Sequence, residues 1–157
     1  MDIGLGREKK TTVNVFYREF TGGVSRDNSL ASQTERYSRQ INQWREISES
    51  RRDYILLGDN NLCAKSWHDA DYDADRRRLA SMMTDFLLEE SAVQLVEDFT
   101  RSELVNNNIQ RSCIDHVITN IPGKCEKPHV SAIGNSDHMA VGVKKSLPEN
   151  FRTNQIR

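Results

Sequence analysis

Carboxylates, amides and imidazoles gather at three places along the chain: Gly58-Asp59-Asn60-Asn61, Ser112-Cys113-Ile114-Asp115-His116 and Asn135-Ser136-Asp137-His138. Such side chains can orient or deprotonate a water, carry a proton and hold a hard divalent cation. Each cluster borders an apolar run: YILL precedes the first, VIT follows the second and MAVGV follows the third. Strand ends along one rim of a sheet are where α/β proteins place their sites. Taken singly, the clusters have ordinary explanations, an Asp or Asn turning the chain after a strand and a Ser-Asp pair capping a turn. Only convergence on one rim would make them a site.

The elements that must bring them there can be read from periodicity. Thr11 to Phe16, β-branched and alternating, reads as a strand, with a loop from Arg18 prolonged by Gly22, Gly23, Asp27 and Asn28. Tyr37, Ile41, Trp44 and Ile47, three or four apart, make Ser32 to Ser50 an amphipathic helix. Tyr54 to Leu57 reads as a buried central strand stopped at Gly58, and Asn60 to Asp75 as a polar loop. The spacing of Leu79, Met82, Met83, Phe86 and Leu87 predicts a helix over Arg76 to Ser91 with Asp75 as its N-cap. Val93 to Val96 reads as a strand, Asp98 to Gln110 as a polar connection turning at Asn106 to Asn108, and three strands follow: Cys113 to Thr119, Val130 to Ile133 and Met139 to Lys144. Strands alternating with helices, then strands in succession, indicate a mixed α/β layered sheet.

Composition sets outer bounds. The chain has 157 residues, 22 Lys+Arg against 23 Asp+Glu and 36% hydrophobic residues, which suits one domain or part of one. Its mean hydropathy of -0.70 leaves it short of core. A formal net charge of -1 gives no global attraction to nucleic acid or to an anionic membrane, so such a partner must be met by a local patch. Cys63, Cys113 and Cys125, without a CxxC pair, fit free thiols in a reducing compartment. The start offers no signal peptide, and no segment approaches the roughly 20 apolar residues of a membrane helix, so an intracellular chain with no membrane partner is expected.

In order and in strand context, Gly58-Asp59-x-Asn61, Ser112-x-Ile114-Asp115-His116 and Ser136-Asp137-His138 resemble the second half of the endonuclease/exonuclease/phosphatase superfamily, the fold of DNase I. The likeness is greatest to the endonuclease domains of non-LTR retrotransposons, because Phe16-Tyr17-Arg18 is similar to their Tyr-Arg turn and the stretch from FLLEES to QRSCIDHVITN is typical of invertebrate elements. The resemblance covers about Asp2 to Lys145. It implies a DNase I-like four-layer α/β sandwich with its N-terminal half missing: a partial domain over 1–146 and a polar tail over 147–157. It also implies metal-dependent phosphodiester hydrolysis, nicking double-stranded DNA for a retroelement in the nucleus, with Mg²⁺ or Mn²⁺ as cofactor. By the same resemblance Asp59 orients or deprotonates the attacking water, and Asn61 holds Asp59 and a phosphate oxygen. Asp115 fixes His138, whose protonated ring meets the scissile phosphate. Asp137 is a metal ligand, Tyr17 bonds a phosphate oxygen and Arg18 adds charge.

Two departures limit what the resemblance implies. No residue before Thr11 matches the family's early Asn and Glu, which complete the metal site, so cation affinity in this stretch alone should be weak and the chain inactive by itself. Asn60 stands where the family has an apolar residue, and a buried Asn needs hydrogen-bond partners. A non-catalytic remnant or binding module of the same fold is the alternative, and a lipid or inositol phosphate phosphatase uses the same rim. His116 reads as packing and His129 as a turn residue. His68 with its Asp neighbours reads as a solvated loop, and the arginines at 36, 39, 45, 51, 52 and 76 to 78 as solvated helix faces.

Overall fold

The structure, a computed structural model, describes residues 10–18, 29–50, 52–67, 69 and 74–146. The expected glycine loop at Gly22 and Gly23, the loop residue His68 and the tail over 147–157 lie outside the described residues.

Strand β1 (Thr11–Tyr17) leads through helix α1 (Leu30–Glu49) to strand β2 (Asp53–Asp59), and the two strands pair in parallel. A parallel pair needs such a crossover, and α1 supplies it. Ser29 caps α1, its hydroxyl accepting from the Ser32 amide at 3.2 Å, which starts the helix two residues ahead of the predicted Ser32. Helix α2 (Ala74–Glu89) likewise begins before Arg76, so Asp75 sits inside the first turn and not at the cap. There its carboxylate still favours the positive end of the helix dipole.

After α2 come β3 (Val93–Gln94), a hairpin of β4 (Arg101–Val105) and β5 (Asn108–Ser112), then β6 (Asp115–Thr119) and a second hairpin of β7 (His129–Ala132) and β8 (Met139–Gly142). The main sheet has the order β1-β2-β6-β3, with β2 and β6 antiparallel, so β2 is central as the YILL run predicts. The polar connection expected over Asp98 to Gln110 is in fact mostly the β4–β5 hairpin. Asn106 and Asn107 both take positive φ (49° and 62°), the left-handed pair that a tight two-residue hairpin turn requires and that Asn tolerates. Those strands are mostly polar and their apolar pair, Leu104 and Ile109, stays exposed, so no buried face gave a hydrophobic period to read. The strand read as Cys113 to Thr119 starts at Asp115, and the final strand ends at Gly142 rather than Lys144.

Pleating divides the sheet into two unlike faces. Phe16, Tyr54, Leu56 and Ile118 turn toward Tyr37, Ile41 and Trp44 of α1 and Leu79, Met83 and Phe86 of α2, forming the main core. Trp44 sits at its centre, with ring centroids 4.8 Å from Phe16 and 5.4 Å from Phe86. Ile55 and Val117 face the other way, into a smaller cluster with Val96 and Cys113, flanked by Val130, Val141 and Val143 from the second hairpin. On that second face β1 is bare: Val13 is 59% and Val15 77% exposed. The apolar MAVGV run is only half-buried on β8. Gly58 lets β1 approach β2, since a Cβ there would lie 1.8 Å from the Phe16 carbonyl oxygen. Among the described residues no helix is long and apolar enough to cross a membrane.

Candidate active site

The pleat explains the site. Tyr17, Asp59 and Asp115 are register partners on three adjacent strands, so all three point to the same face at the same end of the sheet. β2 and β6 are stiff, mostly buried strands, and their last or first residue is the one that emerges. Asp59 is fixed by an Asx turn: the Asn61 amide donates to its Oδ1 at 2.8 Å and the Asn61 side-chain Nδ2 lies 3.3 Å from its Oδ2. Asn61 holds a left-handed φ of 51°, a conformation Asn tolerates, which turns its side chain back toward Asp59. Asp115 is set by Thr100, a fully buried residue whose Oγ1 accepts from the amides of Ile114 and Asp115, both at 3.0 Å.

His138 arrives from the loop between β7 and β8. Its amide donates to Ser136 Oγ at 3.1 Å, and its Nδ1 lies 3.2 Å from Asp115 Oδ2 and 3.4 Å from Oδ1. That distance is within hydrogen-bond reach and ties Nδ1 to the carboxylate, leaving Nε2 for another partner. One ligand atom each from Asp59, Asp115 and His138 lie within 4.8 Å of one another, close enough to share a single cation. Burial is the main cause raising the Asp59 carboxyl above the usual range; the Asn61 amide works against it.

Other expected residues take different places. Asp137 is exposed on the neighbouring loop, where Arg101 Nε donates to its Oδ2 at 2.8 Å and holds its pKa below the usual carboxylate value. Tyr17 is 67% exposed beside Asp59. Arg18 turns inward and is only 8% exposed. His116 is buried, as the packing reading has it: Nε2 lies 3.0 Å from the Leu62 carbonyl, Nδ1 lies 3.4 Å from Asn60 Nδ2, and the Trp67 ring meets it edge-on. Desolvation pushes its pKa down to about 4, so the ring is neutral. Asn60 is fully buried; it donates to the Tyr37 hydroxyl at 2.9 Å, while its Oδ1 has no hydrogen-bond partner among the described residues. His129 is exposed. Cys63, Cys113 and Cys125 form no disulfide with one another.

Sequence reading missed Thr100 and Arg101. Thr100 bonds the second and third clusters together, since its carbonyl also accepts from the Met139 amide at 2.7 Å. Arg101 bridges the hairpin to Asp137 and Glu103. No local pattern marks either residue; the Asn-Asn turn that places their strand was the available signal.

A cleft of about 300 Å³ lies between Tyr17 and the Arg36 and Arg39 side of α1, and two more lie along the rim. One of about 190 Å³ is lined by Val15, Leu57, Gly58, Asp115, Met139 and Val141. The other, about 210 Å³, lies beside Asn61 and carries Arg76, Arg101 and Arg111 with Glu103.

A mixed sheet with helices on one face, carrying two carboxylates and an imidazole at its rim, is of the DNase I-like class. The profile of the endonuclease-reverse transcriptase family matches residues 14–142, and the chain belongs to that family. Among solved structures, the endonuclease domain of TRAS1, a telomere-specific non-LTR retrotransposon, shares the fold at a TM-score of 0.55 and 18% identity. The likeness covers 71% of this chain and 52% of that one, so the chain spans about half the length of the solved domain it matches. No curated protein sequence matches.

Proposed function

We propose that the rim of this chain is the carboxylate–imidazole part of a metal-dependent phosphodiesterase site that nicks double-stranded DNA for a retroelement. The observation that carries the reading is the in-register placement of Tyr17, Asp59 and Asp115 with His138 hydrogen-bonded behind them. Asp59, with its carboxyl raised by burial, is suited to orienting the attacking water and taking its proton. Asp115 engages Nδ1 of His138 and so orients the ring, leaving Nε2 to meet a phosphate oxygen. The Tyr17 hydroxyl holds a further phosphate oxygen, and Asn61 would hold one only by releasing its Nδ2 from Arg18 or Asp59.

A divalent cation fits the donor set in part. Asp59 and Asp115 supply hard oxygen ligands within reach of one ion, but Mg²⁺ prefers a near-octahedral array, so most of its ligands must come from elsewhere. Asp137 would join them only by leaving Arg101. When bound, Mg²⁺ or Mn²⁺ would neutralise the charge that develops on the phosphate. The basic cleft beside Asn61 is placed to take flanking phosphates.

The test is plasmid nicking by the chain alone and by the chain joined to the first half of a related endonuclease domain. Chelator-sensitive nicking by the joined form, lost in Asp59→Ala and His138→Ala, is the expected result. The ion pair that occupies Asp137 favours a second reading, a module of the same fold that binds nucleic acid without cutting it. Duplex binding with no nicking in any metal would establish that reading instead.

A further inference from the structure

Arg18 follows Tyr17 at the end of β1, in the place where a cation could meet a phosphate. Its guanidinium is instead spent on the chain. Nε donates to the Asn60 carbonyl, and Nη2 donates to the Asn61 carbonyl at 3.0 Å. The plane lies over the Tyr37 ring, with Cζ 5.5 Å from the ring centroid. The backbone of the same residue closes the link from both sides: the Arg18 amide donates to the Asp59 carbonyl at 2.8 Å, and the Arg18 carbonyl accepts from Asn61 Nδ2 at 2.7 Å. Four bonds thus join one residue to all three residues of the turn that carries Asp59 and Asn61. Only 8% of Arg18 is exposed.

We infer that Arg18 is a positioning residue for the Asp59–Asn61 turn and not a ligand of phosphate. A rigid planar fork of two N–H groups spans two successive carbonyls in fixed directions, which a single rotatable ammonium does not fix. The guanidinium sets the direction of both carbonyls beside a left-handed residue, Asn61. Through them the guanidinium fixes where the Asn61 amide points, and that amide is what orients the Asp59 carboxylate. The importance of Arg18 for activity rests on the function proposed above; its task in the turn does not.

Arg18→Lys keeps the charge and loses the fork, whereas Arg18→Gln loses both. Amide hydrogen exchange in the 157-residue chain, read by NMR, and the salt dependence of binding to a short DNA duplex in EDTA separate the roles. Both variants should raise exchange at position 18 and at Asn61 about tenfold relative to the β2–β6 ladder, the effect of losing one or two hydrogen bonds locally. The salt slope should not change. Unaltered exchange at Asn61 in Arg18→Gln would overturn the inference, and so would acceleration spread evenly over the ladder, which marks a general loss of stability. A slope shallower by about 0.9 in Arg18→Gln, preserved in Arg18→Lys, would overturn it too, because one phosphate contact would have gone with the charge. If the chain binds no DNA, the proposed function suffers, and the exchange result still decides the role of Arg18.

Discussion

Asp59 and Asn60 are neighbours in the chain, as are Asp115 and His116, yet each pair is split between two environments. Asp59 and Asp115 emerge on the half-open face with His138. Asn60 and His116 are sealed with Tyr37 against the helices. The residue types in the two clusters are nearly the same, an Asp or Asn with a His. Pleat phase separates Asp115 from His116 on β6, and the turn that ends β2 separates Asp59 from Asn60, which leaves one cluster accessible to water and ions and makes the other a neutral, dry contact. Chemical potential in this fold therefore follows from position at the ends of β2 and β6, more than from residue identity.

Exchanging the chemistry of the two clusters should give unequal effects. The largest is at the rim: in the joined endonuclease, Asp59→Ala should lower the nicking rate about 10³-fold, equivalent to roughly 4 kcal/mol of barrier, while thermal unfolding shifts little. Next is acid sensitivity of the sealed cluster. His116 is held neutral with a pKa near 4, below its ordinary 6.5, so the unfolded chain binds a proton that the folded chain refuses between those values. Stability from this residue is full above pH 6.5 and falls as pH drops toward 4, by about 3 kcal/mol in all. Denaturant titrations at pH 7 and pH 4.5 should show the slope. His116→Gln, which keeps a donor for Leu62 and an acceptor for Asn60, should flatten it.

A smaller effect is expected at Asn60. Asn60→Leu removes the amide that donates to Tyr37 and lies beside His116, and should cost about 1–2 kcal/mol in urea unfolding. Nicking should persist in that variant, against its loss in Asp59→Ala. The smallest concerns Asp59 itself. Its folded pKa is raised, so the charged form is disfavoured by folding, and whatever stability the group lends is lost as pH rises through its titration. Asp59→Asn should therefore be more stable than the native chain at pH 7 and no different from it at pH 3, measured by the same titrations.

Much of this could be read from the chain. Trp44 and its helical partners announced the covered face, YILL announced the central strand, and the three polar clusters announced the rim. What stayed hidden had physical reasons. β4 and β5 carry Ser102, Glu103, Gln110 and Arg111 and bury no apolar face, which leaves no hydrophobic period. Thr100 acts through a hydroxyl shared by two amides, a tertiary bond with no local trace. The inward turn of Arg18 was hidden because a sequence cannot show which way a long side chain points, and the pairing of Asp137 with Arg101 because the two lie far apart in the chain.

The alignment of Tyr17, Asp59 and Asp115 also makes the sheet a measuring device. Adjacent strands stand about 4.8 Å apart, so the gaps between the three groups are graduated by backbone hydrogen bonds rather than by side-chain packing. A longer acid at 59 would read off the wrong mark. Glutamate keeps the charge yet carries the carboxylate one methylene beyond the line set by its neighbours and out of reach of the Asn61 amide. Fit at this rim is thus set by length as well as by charge, and a scan of Asp, Asn, Glu and Gln at 59, read by exchange of the Asn61 amide, would sort by reach.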